Sequence, residues 1–398
     1  MKSSLLRFTI ATFLSVAAFS LSSGCNAYKD PKNKDKLEKI KAQNATPGFP
    51  KASYNLSKWI RRNSADFWKH MQTASSGPAL QPYLAFSGVL AGDAHPANFA
   101  PILVREFNGQ ETLKLLDIDF DDAGRGPFVM DFIRLAMITK ATKDGVKMSG
   151  LLQAYVQGLQ GQTMEIPPEV AKVQATKIED FRQKQDSQLE KRTENHKFKL
   201  KAGKIEAYRG PITTDFIQSV LPKFKVLDIS LRPKTSDEEE DDEEHNAELR
   251  IWVLVHDPDQ NRDRHFELKA WRETSLAKYQ SQLPTREWLA EIREHFWPGF
   301  DGSAYDLIDV PNSGLFWIRE KEVTLINVPY SSKKPTATEY VRQFASYDAN
   351  LLGLVHSRQP GARELLALIS TKEQQKAFKT AIKNVMAPYM REIAERVH

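Results

Sequence analysis

Residues 91–134 decide the fold of this chain, and they read AGDAHPANFAPILVREFNGQETLKLLDIDFDDAGRGPFVMDFIR. The stretch contains two polar segments, residues 92–98 and residues 117–124, and each borders an apolar run that is typical of a strand. Between the two runs stands Asn108-Gly109, a dipeptide that favours a tight hairpin turn. The pattern therefore predicts that both polar segments return to the same end of a small sheet.

The two segments would then bring several carboxylates, one amide and one imidazole close together. Because neighbouring carboxylates repel one another, such a group usually forms around a cation. Magnesium suits it, because this ion takes oxygen ligands from one or two carboxylates and leaves the rest of its shell to water and phosphate. Asp93 and Asn98, followed by an aspartate at a strand end, have the order used in kinase-type phosphoryl transfer.

The overall composition fits a globular protein of one large or two modest domains, with 41% hydrophobic residues. A formal net charge of +5 is small for 398 residues, so we expect no nucleic-acid partner. The single cysteine, Cys25, excludes an intramolecular disulfide and a zinc site built from several cysteines.

Residues 1–25 are typical of an export signal. Lys2 and Arg7 precede an apolar run that is short for a membrane span, and small residues lead to Cys25. The segment resembles a bacterial lipoprotein signal, which implies membrane anchoring through an acylated Cys25, and ordinary cleavage after Ala27 is the alternative. We expect an exported protein of the bacterial cell envelope, either lipidated or periplasmic.

The remaining chain divides by its hydrophobic periodicity. Residues 26–52 are predicted to form a flexible tether, residues 53–222 a helical part that holds both polar segments, and residues 223–332 a β-rich part. Residues 333–398 are predicted to return to the helical part as C-terminal helices. The acidic run 237–244 is predicted to be an exposed loop. The predicted helices cover 54–71, 131–142, 151–160, 284–296, 336–356 and parts of 364–397, and the predicted strands of the β-rich part cover 224–231, 248–256, 264–270, 315–319 and 323–328.

Three motifs in the decisive stretch resemble the signature of a large bacterial family of domains of unknown function, family 2252. They are GDAHPAN at residues 92–98, DFDDAGRGP at residues 119–127 and DFIRLA at residues 131–136. The same motifs are similar to those of the protein-kinase-like superfamily that includes aminoglycoside and choline kinase-like phosphotransferases. Residues 351–358 resemble a further motif of family 2252, so the resemblance covers residues 55–360.

The resemblance implies an α+β fold of the two-lobed protein-kinase type. In protein kinases the strands that hold the nucleotide precede the catalytic loop. Here the β-rich part follows Asp93, and little sequence precedes that residue. We therefore expect a circularly permuted kinase-like fold, with the catalytic loop N-terminal to the nucleotide-lobe strands.

The resemblance also implies a role for individual residues of the two polar segments. Asp93 corresponds to the catalytic aspartate, and His95 orients the loop or contacts phosphate. Asn98 and Asp119 correspond to Mg²⁺ ligands, which Asp121 assists. Asp131 is expected to cap its helix or to hold the loop in place.

In the β-rich part, the resemblance implies that Lys269 holds the phosphates of ATP or another nucleotide. The helix predicted over residues 284–296 offers Glu291, or its neighbours Glu287 and Glu294, as the partner of that lysine. These residues together predict a cofactor-binding site for Mg²⁺ and a nucleotide.

The predicted function is Mg²⁺-dependent transfer of a phosphoryl or nucleotidyl group to an unidentified hydroxyl of a small molecule or protein. The alternative is a catalytically inactive kinase-like binding protein of the cell envelope. It is favoured by the export signal and by the absence of glycine from residues 228–248, where a phosphate cradle is expected. A metallophosphoesterase is the third hypothesis, because Gly-Asp-x-His also begins such sites, but no second histidine cluster follows.

Overall fold

The computed structural model describes residues 48–74, 77–96, 98–105, 110–120, 122–233, 249–271, 276, 286–298, 305–321 and 337–397. All of them belong to one compact unit, Gly48–His398, which begins inside the predicted tether. The export signal, the turn at Asn108-Gly109, the acidic run and the strand predicted over residues 323–328 lie outside the described residues.

Helices and strands both contribute to this unit, which confirms the α+β class. The helices are α1 Tyr54–Arg62, α2 Ser64–Ala74, α3 Gln81–Leu84, α4 Phe128–Thr142, α5 Met148–Leu159, α6 Pro168–Gln174, α7 Ile178–Glu190, α8 Thr214–Val220, α9 Arg286–Phe296, α10 Ala337–Ser357, α11 Ala362–Leu368 and α12 Lys372–Val397. The strands are β1 Ser87–Leu90, β2 Phe99–Arg105, β3 Glu111–Asp117, β4 Gly124–Pro127, β5 Thr193–Glu194, β6 Lys197–Phe198, β7 Glu206–Ala207, β8 Lys225–Leu231, β9 Arg250–Asp257, β10 Arg262–Ala270, β11 Tyr305–Val310 and β12 Gly314–Glu320.

Two antiparallel strand pairs bring the polar segments together. The predicted hairpin is confirmed, because β2 pairs with β3 from Phe99 opposite Asp117 to the far end of both strands. Beyond this end of the hairpin, the Ile118 N–H donates to the Asn98 carbonyl at 2.8 Å. The second pair joins β1 to β4, with Leu90 opposite Gly124. The first segment therefore follows β1, the second precedes β4, and both meet at one edge.

Gly92 marks the closest approach of the two segments. Its φ of +77° lies in the left-handed region, which glycine adopts without a Cβ penalty. A Cβ atom at this position would lie 1.7 Å from the Asp122 carbonyl oxygen. Only a residue without a side chain therefore lets the two backbones pass at this distance.

Helix α4 lies at the centre of the helical part. Every residue of α4 except Lys140 is buried, and the helix contacts α1, α5, α10, α12 and β1. A helix that is apolar on nearly all sides is expected to be surrounded by other elements. The two charged residues that it does bury, Asp131 and Arg134, therefore need partners inside the protein.

The β-rich part is a six-stranded antiparallel sheet in the order β11-β12-β10-β9-β8-β7. One face packs against α8 through apolar side chains that include Phe266 and Leu268 of β10. Because side chains alternate along a strand, Glu267 and Lys269 lie on the opposite face. Helix α9 contacts β1, β11 and α10, and so it lies between the sheet and the helical part.

Three predicted elements differ from the observed ones. The helix predicted over residues 54–71 is two helices, because Asn63 donates from its backbone N–H and its side-chain amide to the Trp59 carbonyl and ends α1 there. Strand β12, predicted over residues 315–319, forms a hairpin with the preceding strand β11, which was not predicted. Strand β7 and helix α8 precede residue 223, but β7 is an edge strand of the sheet and α8 packs against it.

Candidate active site

Asp93 is held by an arginine from the buried helix α4. Arg134 donates from Nε and from Nη2 to Asp93 Oδ1, at 2.8 and 2.7 Å. The same guanidinium donates to the carbonyl oxygens of Ile60 and Arg61 at the end of α1, at 2.9 and 3.1 Å. The arginine therefore supplies donors to a helix end that lacks them and a counter-charge to Asp93.

His95 lies on the other side of the same carboxylate, with its Nε2 3.4 Å from Asp93 Oδ2. Burial lowers the pKa of His95 by more than its contact with Asp93 raises it, and the charges of Arg61 and Arg134 lower it further. Burial opposes the charge of Asp93, but Arg134 and then His95 outweigh it and hold the pKa of Asp93 well below its usual range. A carboxylate with a lowered pKa is a weak base, so Asp93 is better suited to accept a hydrogen bond than to remove a proton.

Asp131 holds the loop that carries Asp93. Its two carboxylate oxygens accept the N–H groups of Ala91 and Gly92, at 2.7 and 3.0 Å. Of the two predicted roles for Asp131, capping its helix or holding the loop, these contacts show the second. The Nε2 atom of His356, on α10, lies 3.4 Å from Asp131 Oδ2. The Nδ1 atom of the same ring lies 2.8 Å from the Tyr155 hydroxyl oxygen.

Asn98 and Asp119 lie close to each other at the end of the β2–β3 hairpin. The Asn98 side-chain amide donates to the Asp93 carbonyl at 3.0 Å, which directs the amide oxygen of Asn98 away from that contact. The Asp119 N–H donates to Asp117 Oδ1 at 3.1 Å, and a third of the Asp119 side chain is exposed. Both residues therefore have oxygen atoms that a hard cation could take as ligands.

A buried cluster on the polar face of the sheet extends to Asp119. Arg319 of β12 donates from Nη1 to Asp119 Oδ1 at 3.2 Å and from Nη2 to Glu267 Oε1 at 3.0 Å. Glu267 is fully buried and also accepts from Lys321 at 2.9 Å and from the Trp252 indole at 3.1 Å. Burial alone would raise the pKa of Glu267, but Lys321 and then Arg319 hold it well below its usual range.

Lys269 lies two residues after Glu267, on the same strand face, and is 7% exposed. Glu291, its predicted partner, binds Arg125 of β4 with both carboxylate oxygens. This pairing corrects the prediction, and its physical reason is that the planar guanidinium matches both oxygens of a carboxylate. The sequence analysis missed Glu267, the buried acid on the same strand face, although a glutamate between Phe266 and Leu268 in a strand was a visible signal.

Within the described residues, no group of three or more His, Cys, Asp or Glu side chains is arranged to hold a metal ion. Asp121, the third predicted ligand, lies outside them, so Asn98 and Asp119 are the predicted ligands whose placement is known. This donor set fits Mg²⁺, because that ion often takes one or two protein ligands and completes its shell with water and phosphate oxygens.

Comparisons with protein-family models, with curated proteins and with solved structures give no match. The resemblance to kinase-like families, and the function that it implies, therefore stay predictions. The helices in the described part of the chain do not combine the length and the apolar character that crossing a membrane requires.

A second pair of acids is buried next to the site. Asp117 ends β3, and Asp348 lies in the middle of α10. The structure gives no hydrogen-bond partner to Asp117 Oδ2 or to either side-chain oxygen of Asp348 among the described residues. Burial raises the pKa of both carboxyl groups well above the usual range. The charge of Asp117 adds to the effect on Asp348, whereas the hydrogen bond from the Asp119 N–H partly offsets the effect on Asp117. The sequence analysis missed Asp348, because a lone aspartate in a helix usually lies at the surface.

The raised pKa of Asp348 predicts how stability depends on pH. As the pH rises, the carboxyl group of Asp348 loses its proton at a lower pH in the unfolded chain than in the folded protein. The folded protein therefore loses stability as the pH rises from the ordinary value of 3.8 towards the folded pKa. We expect Asp348→Asn to raise the free energy of unfolding by about 1–2 kcal/mol at pH 7 and by less at pH 4. Urea denaturation at both pH values measures the effect, with the exposed Asp259→Asn as control. A loss of stability at pH 7 would contradict it.

Proposed function

We propose that this protein is a kinase-like, Mg²⁺-dependent phosphotransferase, or nucleotidyl transferase, that acts on an unidentified hydroxyl acceptor. The observation that carries the proposal is the double contact of Arg319, which binds Asp119 and Glu267 with two nitrogens of one guanidinium. This contact joins the oxygen-rich end of the hairpin to the strand that bears Lys269.

A nucleotide phosphate with its Mg²⁺ needs both kinds of group that meet here. Asn98 and Asp119 would hold the ion through their side-chain oxygens, and Lys269 and Arg319 would bind phosphate oxygens by charge-assisted hydrogen bonds. When bound, Mg²⁺ neutralises charge that develops on the transferred group. Asp93 accepts a hydrogen bond from the acceptor hydroxyl and orients it, because Arg134 keeps Asp93 charged.

We infer further that the two-lobed kinase fold occurs here in permuted order. The antiparallel sheet, the lysine on its inner strand β10, and the helix α9 placed between the sheet and the helical part support this inference. An exported location in the cell envelope, either lipidated or periplasmic, belongs to the same proposal and rests on the sequence of residues 1–25.

The second candidate is a binding protein of the cell envelope without catalysis. It is favoured by one observation, namely that Asp93 and Asp119 both already contact an arginine, Arg134 and Arg319. Such pairs neutralise the acids without a metal ion. This candidate would bind a ligand at the same residues and would not transfer a phosphoryl or nucleotidyl group.

Nucleotide binding tests the proposal directly. We expect ATP or GTP with Mg²⁺ to raise the Tm of the purified protein, since a ligand at 100 times its Kd adds about 2.7 kcal/mol. Asp119→Asn should reduce the Mg²⁺-dependent part of the shift, and Lys269→Met should reduce the shift with or without the metal. Lys172→Met, a change at an exposed ion pair on α6, is the matched control and should keep the full shift.

Transfer of labelled phosphate to a panel of hydroxyl acceptors then separates the two candidates. We expect Asp93→Asn to bind the nucleotide as the unaltered protein does but to lose at least about 100-fold in transfer rate. A nucleotide shift without turnover in the unaltered protein would favour the binding protein. If no nucleotide shifts the Tm with any divalent cation, the phosphotransferase proposal is wrong.

A further inference from the structure

A short segment that packs on the six-stranded sheet carries the excess positive charge of the chain. Residues 191–204, the basic segment, contain six basic residues and one acid, Glu194, which gives them a formal net charge of +5. The whole chain has the same net charge, so the rest of it is neutral on balance. Counting the acids at either end, Glu190 and Glu206, still leaves six basic residues against three acids.

The basic segment is folded and attached to the sheet. Strands β5 and β6 form a hairpin whose turn residues, Asn195 and His196, have φ values of +49° and +57°, as a two-residue turn of type I′ requires. Phe198 and Ile205 are buried in an apolar cluster with two side chains of β9. The Phe198 N–H also donates to Asp228 Oδ2 of β8 at 2.8 Å. These contacts fix the backbone, so the segment presents its lysines at a defined place on the surface.

All the lysines of the basic segment are exposed, and none forms an ion pair with an acid in the part of the chain that the structure describes. They are Lys191, Lys197, Lys199, Lys201 and Lys204. Lys199 donates from Nζ to the Glu190 carbonyl at 2.9 Å, a contact that does not neutralise its charge. Because neighbouring like charges repel, an anionic partner that contacts several of these lysines gains attraction and relieves the repulsion between them.

Leu200 stands between Lys199 and Lys201 and is 61% exposed. No other large apolar side chain in the described part of the chain is exposed to this extent. A single exposed leucine would need no explanation by itself. A leucine with a lysine on each side has the composition of a membrane-surface segment, in which the apolar side chain enters the acyl layer and the lysines stay at the lipid phosphates.

The combination favours one class of anionic partner. Single-stranded nucleic acids bind by stacking their bases on aromatic side chains, and Phe198, the only Phe, Tyr or Trp of the basic segment, is buried. A free phosphate ion would bind the lysines but would leave Leu200 in water. We propose that the basic segment docks this protein on an anionic lipid bilayer, with Leu200 in the acyl layer and the lysines at the lipid phosphates. This docking goes beyond the proposed phosphotransfer and needs neither Mg²⁺ nor a nucleotide.

Co-sedimentation of the full chain with lipid vesicles tests the proposal. The protein carries Cys25→Ser, which prevents acylation, and it keeps the acidic run 237–244, so any competition by that run for the lysines is included. One set of vesicles contains phosphatidylglycerol and phosphatidylcholine in equal parts. The other contains phosphatidylcholine alone and measures binding that does not depend on lipid charge. We expect at least about tenfold tighter binding to the anionic vesicles, and loss of this difference in about 1 M salt, where the Debye length is about 3 Å.

Substitutions locate the binding on the basic segment. The triple variant Lys197→Gln, Lys201→Gln, Lys204→Gln should bind anionic vesicles about 100-fold more weakly, because each lysine near an anionic bilayer strengthens binding by about fivefold. Leu200→Gln should weaken the binding by about tenfold, and it should leave the Tm unchanged because this side chain is exposed.

The matched control replaces three exposed lysines elsewhere on the protein by glutamine, namely Lys147, Lys372 and Lys376. This variant removes the same charge as the triple variant of the basic segment. It should lose no more than about fivefold in affinity for the anionic vesicles, the contribution of one lysine at the bilayer.

Three results would overturn the proposal. The first is equal binding to anionic and neutral vesicles. The second is an equal loss in the triple variant and in its control, which would show an effect of total charge. The third is unchanged vesicle binding by Leu200→Gln together with tighter binding to a single-stranded DNA oligomer, which would show a site for nucleic acid. All these measurements are made without nucleotide, so failure here is distinct from failure of the proposed phosphotransferase.

Discussion

Replacing Arg134 by methionine is expected to lower the free energy of unfolding by about 3–5 kcal/mol at pH 7, because it leaves a buried charge without its partner. The guanidinium is fully buried and is the partner of Asp93, and it also binds the last carbonyl oxygens of α1. Methionine fills similar space, so the loss of stability would come from the Asp93 carboxylate and the two carbonyl oxygens, which would no longer have their hydrogen-bond donor. Urea denaturation of both proteins measures it.

The pH dependence of this effect follows from Asp93. The pKa of Asp93 is lower in the folded protein than in the unfolded chain, so its pair with Arg134 stabilises the fold above the ordinary aspartate pKa of 3.8 and less below it. The difference in the free energy of unfolding between the unaltered protein and Arg134→Met should therefore persist at pH values above 3.8 and shrink as the pH falls below it.

Two controls isolate the buried pair. Arg342→Met removes an exposed partner of Glu339 and should cost less than about 1 kcal/mol. Adding Asp93→Asn to Arg134→Met should recover part of the loss, because the unpaired charge is then removed as well. A cost for Arg134→Met no greater than that of Arg342→Met would contradict the role assigned to this arginine.

The second large effect is expected from Gly92→Ala. The new Cβ would lie 1.7 Å from the Asp122 carbonyl oxygen, a backbone atom next to the start of β4 that cannot rotate away. We expect a loss of at least about 4 kcal/mol, which is exceptional for one methyl group. The Tm in a thermal melt and the yield of soluble protein report it.

Gly145→Ala is the matched control for this substitution. Gly145 has a φ of +84°, similar to that of Gly92, but a Cβ at Gly145 would meet nothing within 4 Å. Its substitution should therefore cost only the penalty of a left-handed backbone, about 1–2 kcal/mol. If both substitutions lower the Tm equally, the close approach of the two polar segments is not what Gly92 is needed for.

The hairpin and the meeting of the two polar segments were predictable from local signals. Alternating apolar runs around Asn108-Gly109 and polar residues at both outer ends specify where β2 and β3 pair. The buried helix α4 was predictable for the same reason, since its apolar residues leave almost no polar face. These predictions needed only residues that are close in sequence.

The partners of the site residues were not predictable, because each depends on a long-range register. Glu267 stands opposite Arg319 only because β10 pairs with β12 in one particular alignment across 52 residues of chain. The pairing of Glu291 with Arg125 spans 166 residues. The composition of each strand allows other alignments, so sequence pattern alone selected the wrong partner for Glu291 and overlooked Glu267.

The spacing of Asp131 and Arg134 on α4 has a mechanical consequence. The two side chains are three positions apart, so they emerge from the same side of the helix, and both reach the loop of residues 91–93, one through its backbone and the other through its carboxylate. The helical repeat keeps the two attachment points at a constant separation. The loop is therefore held at both points by one helix. Any shift of α4 along its axis would move the loop backbone and weaken the ion pair of Asp93 at the same time.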